Sequence, residues 1–313
     1  MIHYIRKEYL NMLEKNEWLD EDTKTQAIEK ANAIMAFVGY PKELMNDSIV
    51  SEYYKNLTIG NESYFDNMRN VNRWVTDEAF SRLRKPNKRG EWNKFAERAT
   101  IVNAFYMKTE NSISFPAGAI QLPNFSKDRP YYLNFGGIGY FIGHEITHGF
   151  DSNGRHFDKN GNRNNWWSTD ADKIFRKKAE CIINQYSNYT TDIGMQLNGV
   201  QTQAENIADT AGLKTAYLAY QSWVRDKGIE PKLPGLKYTP NQLFWIGLAN
   251  SWCDNLRPEI LKYFILSLVH SPQKFRVNGA ISNQAEFAKE FGCKADSAMN
   301  RRNKCQGLVD ESD

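Results

Sequence analysis

His144-Glu145-Ile146-Thr147-His148 sets two imidazoles four residues apart with a carboxylate directly after the first. On an α-helix, residues i and i+4 share a face, so both rings reach one cation. Glu145, turned about 100° from His144, then borders the open side of that cation. Imidazoles at this spacing hold zinc and the carboxylate takes a proton from water, which is the chemistry of peptide-bond hydrolysis. The chain has five histidines in 313 residues. A chance match to the pattern is then expected in roughly one chain in a hundred or fewer.

A catalytic zinc site usually takes three protein ligands and leaves a fourth position for water, so a further ligand must lie downstream. The best candidate is Glu205, in Gln203-Ala204-Glu205-Asn206-Ile207-Ala208-Asp209-Thr210-Ala211-Gly212, near the start of a helix running through Tyr217, Tyr220 and Trp223. One carboxylate ligates, while Asp209 accepts the outer N–H of a ligating imidazole, which fixes its tautomer and raises its basicity. Taken alone, the pair reads more simply as a solvated acidic helix start, because acids favour the first turn. Beside the histidine pair the ligand reading prevails.

These side chains need a buried helix and a core around it. The segment from Gly136 to Gly143 leads in with apolar residues, as a buried helix requires, and Gly149 with Asp151-Ser152-Asn153-Gly154 ends the helix. The first hundred residues read as amphipathic helices, the first with Ile5, Tyr9, Leu10 and Leu13 on one face. A second runs from about Asp22 to Phe37 and is stopped by Gly39-Tyr40-Pro41. Thr100 to Phe105 and Ser112 to Phe115 alternate as short strands. The expected fold class is mainly α with a small β-sheet (α+β), with no internal repeat and no linker separating independent modules. A hydrophobic content of 41% suffices for a core, and a net charge of +3 selects no partner. The basic stretch from Arg82 to Arg89 lacks interleaved aromatics and carries Pro86 and Asn87, so it reads as a solvated loop, and no nucleic-acid module is expected. No apolar run approaches a membrane span.

HEITHGFD followed by ENIADTAG resembles the neprilysin and endothelin-converting-enzyme family of zinc metallopeptidases. Val102-Asn103-Ala104-Phe105-Tyr106, Phe115-Pro116-Ala117-Gly118, Asn134-Phe135-Gly136-Gly137-Ile138-Gly139, Trp166-Trp167, Leu233-Pro234-Gly235-Leu236, Arg257-Pro258-Glu259 and His270-Ser271-Pro272-Gln273-Lys274-Phe275-Arg276 match its signatures in the same order. The resemblance runs to about Cys305 but covers only the C-terminal half of a member of typical length. It implies a zincin-type (gluzincin) catalytic domain over 77–313, preceded over 1–76 by a remnant of the distal helical lobe. It implies one zinc ion per chain, held by His144, His148 and Glu205, with Asp209 orienting an imidazole and Glu145 as general base. His270, at the end of the apolar run Ile265-Leu266-Ser267-Leu268-Val269, becomes the donor to the oxyanion, against a reading of the residues alone as a buried structural histidine. Asn103, Ala104 and Arg276 resemble binders of the substrate backbone. Phe141 and Trp252 fall on the walls of a pocket for the hydrophobic residue just after the cut bond, though core packing is equally open to both. Where many members carry two consecutive aromatics, this chain has Asn124-Phe125, which implies a more polar or reshaped pocket.

The resemblance further implies a disulfide between Cys181 and Cys305, with Cys253 and Cys293 unpaired because their partners belong to the absent half. Met1 to Glu8 reads as an amphipathic helix and not as a signal peptide, which by itself predicts a cytosolic protein. Family members are largely cell-surface or secreted ectodomains, so the expectation is an extracellular domain from a truncated gene model, fragment or isoform. Sequons at Asn46, Asn56, Asn61, Asn124 and Asn188 are compatible with secretion, and a glycan on Asn124 would crowd a cleft. Two functions follow: a zinc endopeptidase with short peptides as partners, or a catalytically impaired member acting as a peptide-binding module.

Overall fold

The computed structural model describes residues 1–61, 63–96 and 98–305. Its spine is one long helix, Gly199–Lys227, started by the Asn198 side chain accepting from the N–H of Gln201. Glu205, Asp209 and Gly212 lie along it at i, i+4 and i+7, one face of the helix. That face lies on the shorter helix Tyr140–Thr147, which carries His144 and has His148 as its C-cap. The two meet backbone to backbone. A Cβ on Gly143 would fall 2.3 Å from Gly212 O, and one on Gly212 would fall 2.4 Å from His144 N, so only glycine at both positions permits the approach.

The histidine helix is entered through a wide π-type turn at Phe135–Gly139. Such wide turns are often found at functional sites. Around the crossing, Tyr132, Phe135, Ile142, Leu213, Tyr220 and Phe244 form an apolar core that also takes Ile5, Tyr9 and Leu13 from the first helix, Ile2–Glu14. Ala27 and Ala31 of the second helix and Ile34 beyond it join the same core.

That second helix spans Glu21–Asn32 and is capped by Asp20, which accepts from Thr23 N–H. It does not reach Phe37 as expected. Met35–Gly39 is instead β1, a strand whose residues alternate in burial. Apolar residues there fit a helical period and a pleated one equally, and pairing decides between them: β1 runs parallel to β3, Ser112–Pro116, with Met35 opposite Ser112. The strand expected at Thr100 to Phe105 is also displaced. β2 is Phe105–Met107, antiparallel to β3, because residues 98–101 are taken up in turn hydrogen bonds. The order β1-β3-β2 leaves β3 central and buried along its length.

Asp47–Tyr53 and Tyr64–Ser81 form two further helices that bury no residue. Cys181 and Cys305 are joined by a disulfide across 124 residues, and Cys253 and Cys293 are free thiols. Among the described residues no helix is long and apolar enough to cross a membrane. Residues 306–313 of the expected catalytic domain lie outside the described residues.

Candidate metal centre

The glycine contact lays the start of the long helix against the two histidines. His144 and His148 face one way, and their Nε2 atoms lie 2.9 Å apart. Glu205 Oε2 sits 3.3 Å from the first and 3.4 Å from the second. It is buried with no aligned hydrogen-bond donor. With both imidazoles neutral and protonated at their outer nitrogens, three lone-pair atoms converge here, an arrangement that a cation satisfies. Ligand atoms about 2.0–2.1 Å from a tetrahedral zinc ion lie about 3.3–3.4 Å from one another. The two Glu205 distances match this, the histidine pair is closer at 2.9 Å, and the donor set of two imidazoles and a carboxylate suits zinc.

A carboxylate stands behind each ring. His148 Nδ1 is hydrogen-bonded to Asp151 Oδ2 at 2.6 Å. His144 Nδ1 is 2.8 Å from Asp209 Oδ1, a close ion pair that is less well aligned as a hydrogen bond. With the outer nitrogens engaged, the inner Nε2 atoms present lone pairs to the shared centre. Asp209 is fully buried and further held by Arg276, whose Nε and Nη2 donate to its two oxygens, and by the Tyr140 hydroxyl. Burial alone would raise its carboxyl, but the Arg276 guanidinium and His144 outweigh burial and hold it well below the usual carboxylate range. Glu205 is held low in the same way, burial being overcome by His144, His148 and His270.

Glu145 differs. Burial raises its carboxyl above the ordinary value against the pull of His144 and His148, which makes it the more basic carboxylate of the cleft. It shares a cleft of about 470 Å³ with the triad, and Asn103, Ala104, Phe141, Trp252, His270 and Arg276 line the same space. Asp209 is the one expected residue of the centre that stands behind this cleft and not in its lining. His270 is not buried as its apolar neighbours suggest. Its side chain is 43% exposed, with Nε2 3.1 Å from Glu205 Oε2. Two side chains of the long helix fix its segment, Gln201 donating to Leu268 O and Asn206 accepting from Ser271. Phe141 and Trp252 meet at 5.4 Å between ring centres, and Arg276 lies 4.1 Å over the Trp252 ring.

Three residues were not singled out from the sequence. Asp151 was read only as part of the helix stop, yet its position at i+3 from His148 was a usable signal. Its other oxygen accepts from the N–H groups of Asn153 and Gly154 and so shapes the following turn. Tyr140, one turn before His144, was equally visible. Lys30 gave no signal. Its buried ammonium donates to Gly149 O, Gly154 O and Phe157 O, clamping the loop that carries Asp151. Burial pushes that ammonium down to about 7, with Asp151 and Asp158 pulling it back up.

Two family models, both described as peptidase family M13, match residues 103–307 and 1–41. Neprilysin-2 of Drosophila melanogaster is 46% identical over 307 residues, which is 98% of this chain and 40% of that protein. Endothelin-converting enzyme 1 of Rattus norvegicus is 41% identical over 302 residues, 96% of this chain and 39% of that protein. Neprilysin of Homo sapiens is 40% identical over 309 residues, 98% and 41% respectively. Among solved structures, a Mycobacterium tuberculosis zinc metalloprotease in complex with an inhibitor is similar at a TM-score of 0.84 and 31% identity, over 95% of this chain and 44% of that one. A Haemonchus galactose-containing glycoprotein complex matches at 0.87 and 32% identity, over 97% and 48%. The chain thus spans 39–41% of the length of these curated relatives.

Proposed function

The chain belongs to peptidase family M13, and from that membership and the geometry of its cleft we propose that it is a zinc-dependent endopeptidase that cuts short peptides on the amino side of hydrophobic residues. The observation that carries the proposal is the convergence of His144, His148 and Glu205 within 4.8 Å in the cleft that Glu145 also lines.

These three residues would hold the metal, one ion per chain. When bound, zinc supplies a Lewis acid for the peptide carbonyl and acidifies water. Glu145 accepts the proton of the attacking water at its raised carboxylate and returns it to the leaving amine. His270, exposed to the cleft, donates to the oxygen that gains charge as the carbonyl becomes tetrahedral. Arg276, fixed by Asp209, faces the peptide carbonyls. Asn103 already uses Oδ1 on the N–H of Ala104, leaving its Nδ2 for the substrate backbone. Phe141 and Trp252 wall the side-chain pocket.

An extracellular setting belongs to the same proposal. Four of the sequon asparagines, Asn46, Asn56, Asn61 and Asn188, are exposed and accessible to a glycan. The boundary at residue 76 is likewise proposed; it falls within the helix Tyr64–Ser81, which with Asp47–Tyr53 stands outside the shared core, while Ile2–Glu14 and Glu21–Asn32 pack into that core.

Protein stripped by a chelator and titrated with zinc is expected to bind one ion and to recover cleavage of a fluorogenic peptide in proportion. Full cleavage by the stripped protein would contradict the reading.

A further inference from the structure

Beside the metal cleft lies a second cavity of about 200 Å³, with Asn103, Ala104, Phe141 and Trp252 as walls common to both. Phe115, Ala119 and Ile138 make much of the remaining lining apolar. Two lining residues nevertheless carry buried polar atoms with no hydrogen-bond partner, Asn124 Oδ1 and Trp252 Nε1.

Asn124 is held in place by its backbone and not by its side chain. Its N–H donates to Gln121 O, and its carbonyl accepts from Ile138 N and Arg129 Nη2. The backbone is thus anchored beside the cavity, and the carboxamide oxygen Oδ1 is buried there without a donor. A buried polar group left unpaired is costly, and a ligand group that pairs with it gains what an apolar isostere does not.

We propose that the second cavity receives the side chain following the cut bond, and that Asn124 selects there for a side chain ending in a hydrogen-bonding group, tyrosine or glutamine, over its purely apolar counterpart. The inference rests on the endopeptidase reading and, by admitting glutamine, revises its preference for hydrophobic residues. It also sets two uses of one residue against each other, because a glycan on Asn124 would fill the cavity that its amide serves.

The test compares kcat/KM for two pairs of otherwise identical peptides, with Tyr or Phe and with Gln or Leu just after the cut bond. The zinc-loaded wild type, Asn124→Leu and Ser126→Ala are measured in parallel. Wild type is expected to favour Tyr over Phe and Gln over Leu, and Asn124→Leu to lower both ratios by about tenfold while still cleaving the Phe peptide. With all three proteins produced without glycosylation, Ser126→Ala removes the sequon and leaves the amide, so it should keep the wild-type ratios. Ratios unchanged in Asn124→Leu, or shifted in Ser126→Ala, would overturn the inference while leaving the endopeptidase reading intact. Wild type that holds zinc and cleaves none of the four peptides would remove both.

Discussion

Arg276 grips Asp209 through two hydrogen bonds, Nε to Oδ2 at 2.8 Å and Nη2 to Oδ1 at 2.7 Å, directly behind the ring of His144. The pair joins the cleft lining to the outer nitrogen of His144, since Arg276 lines the cleft and Asp209 stands behind the imidazole. Asp209→Asn removes the charge that compensates a buried guanidinium. It is expected to cost about 3–5 kcal/mol of stability in urea unfolding. Zinc affinity, read by competition with a chromophoric chelator, should fall by about 10–100-fold. Unchanged zinc affinity would show that His144 needs no orienting partner.

The crossing of Gly143 and Gly212 makes a second prediction. Gly212→Ala adds a methyl group 2.4 Å from His144 N, against backbone that cannot swing away. The helices must separate, which costs about 1–3 kcal/mol or more. Zinc affinity should fall with it, because Glu205 rides on the same helix. Gly228→Ala, with nothing near its Cβ but a φ of 91°, should cost stability through backbone strain alone and leave zinc affinity unchanged.

Lys30 couples stability to pH. Its folded value of about 7 lies below the ordinary lysine value, so between about 7 and 10.4 the unfolded chain holds a proton that the folded chain has shed. Stability from this group therefore rises with pH across that window, by up to about 1.4 kcal/mol per unit, and is flat below it. Lys30→Met should flatten the rise. It should also cost about 1–3 kcal/mol at pH 7, since Gly149 O and Gly154 O lose their donor. Urea midpoints for wild type and variant at pH 7 and pH 9.5 measure both effects, and parallel pH profiles would contradict the account.

The four cysteines should separate by function. Replacing Cys181 and Cys305 by serine opens a bond spanning 124 residues and is expected to cost about 2–5 kcal/mol. Replacing Cys253 and Cys293, both free, should change the urea midpoint by no more than about 0.5 kcal/mol in equivalent terms.

How much of this was legible in the sequence depended on how local each signal was. HEITH could be read because its geometry is contained in five residues of one helix. Glu205 and Asp209, some sixty residues on, could be read only because zinc chemistry demands a third ligand and because the surrounding segments resemble a family. Asp151 lay in view three residues after His148 and was spent on the helix stop. Lys30 was out of reach: lysine is nearly always exposed, and its three carbonyl partners lie more than a hundred residues away. β1 was missed for the same reason, since Met35, Ala36 and Phe37 are a strand only because Ser112–Ser114 lie beside them. The apolar run before His270 points to burial while the HSPQKFR segment points to the cleft, and contacts from the long helix hold the residue at the cleft surface.

The central claim is that Glu145 performs the proton transfer in a cleft whose metal is held by other residues. Glu145→Gln keeps the shape of the side chain and leaves the triad of His144, His148 and Glu205 intact. Zinc content and fluorogenic-peptide turnover, measured side by side on wild type and this variant, test the claim. The account predicts one zinc ion in each protein and a loss of about 100-fold or more in kcat for the variant. Equal turnover in the two proteins would contradict it.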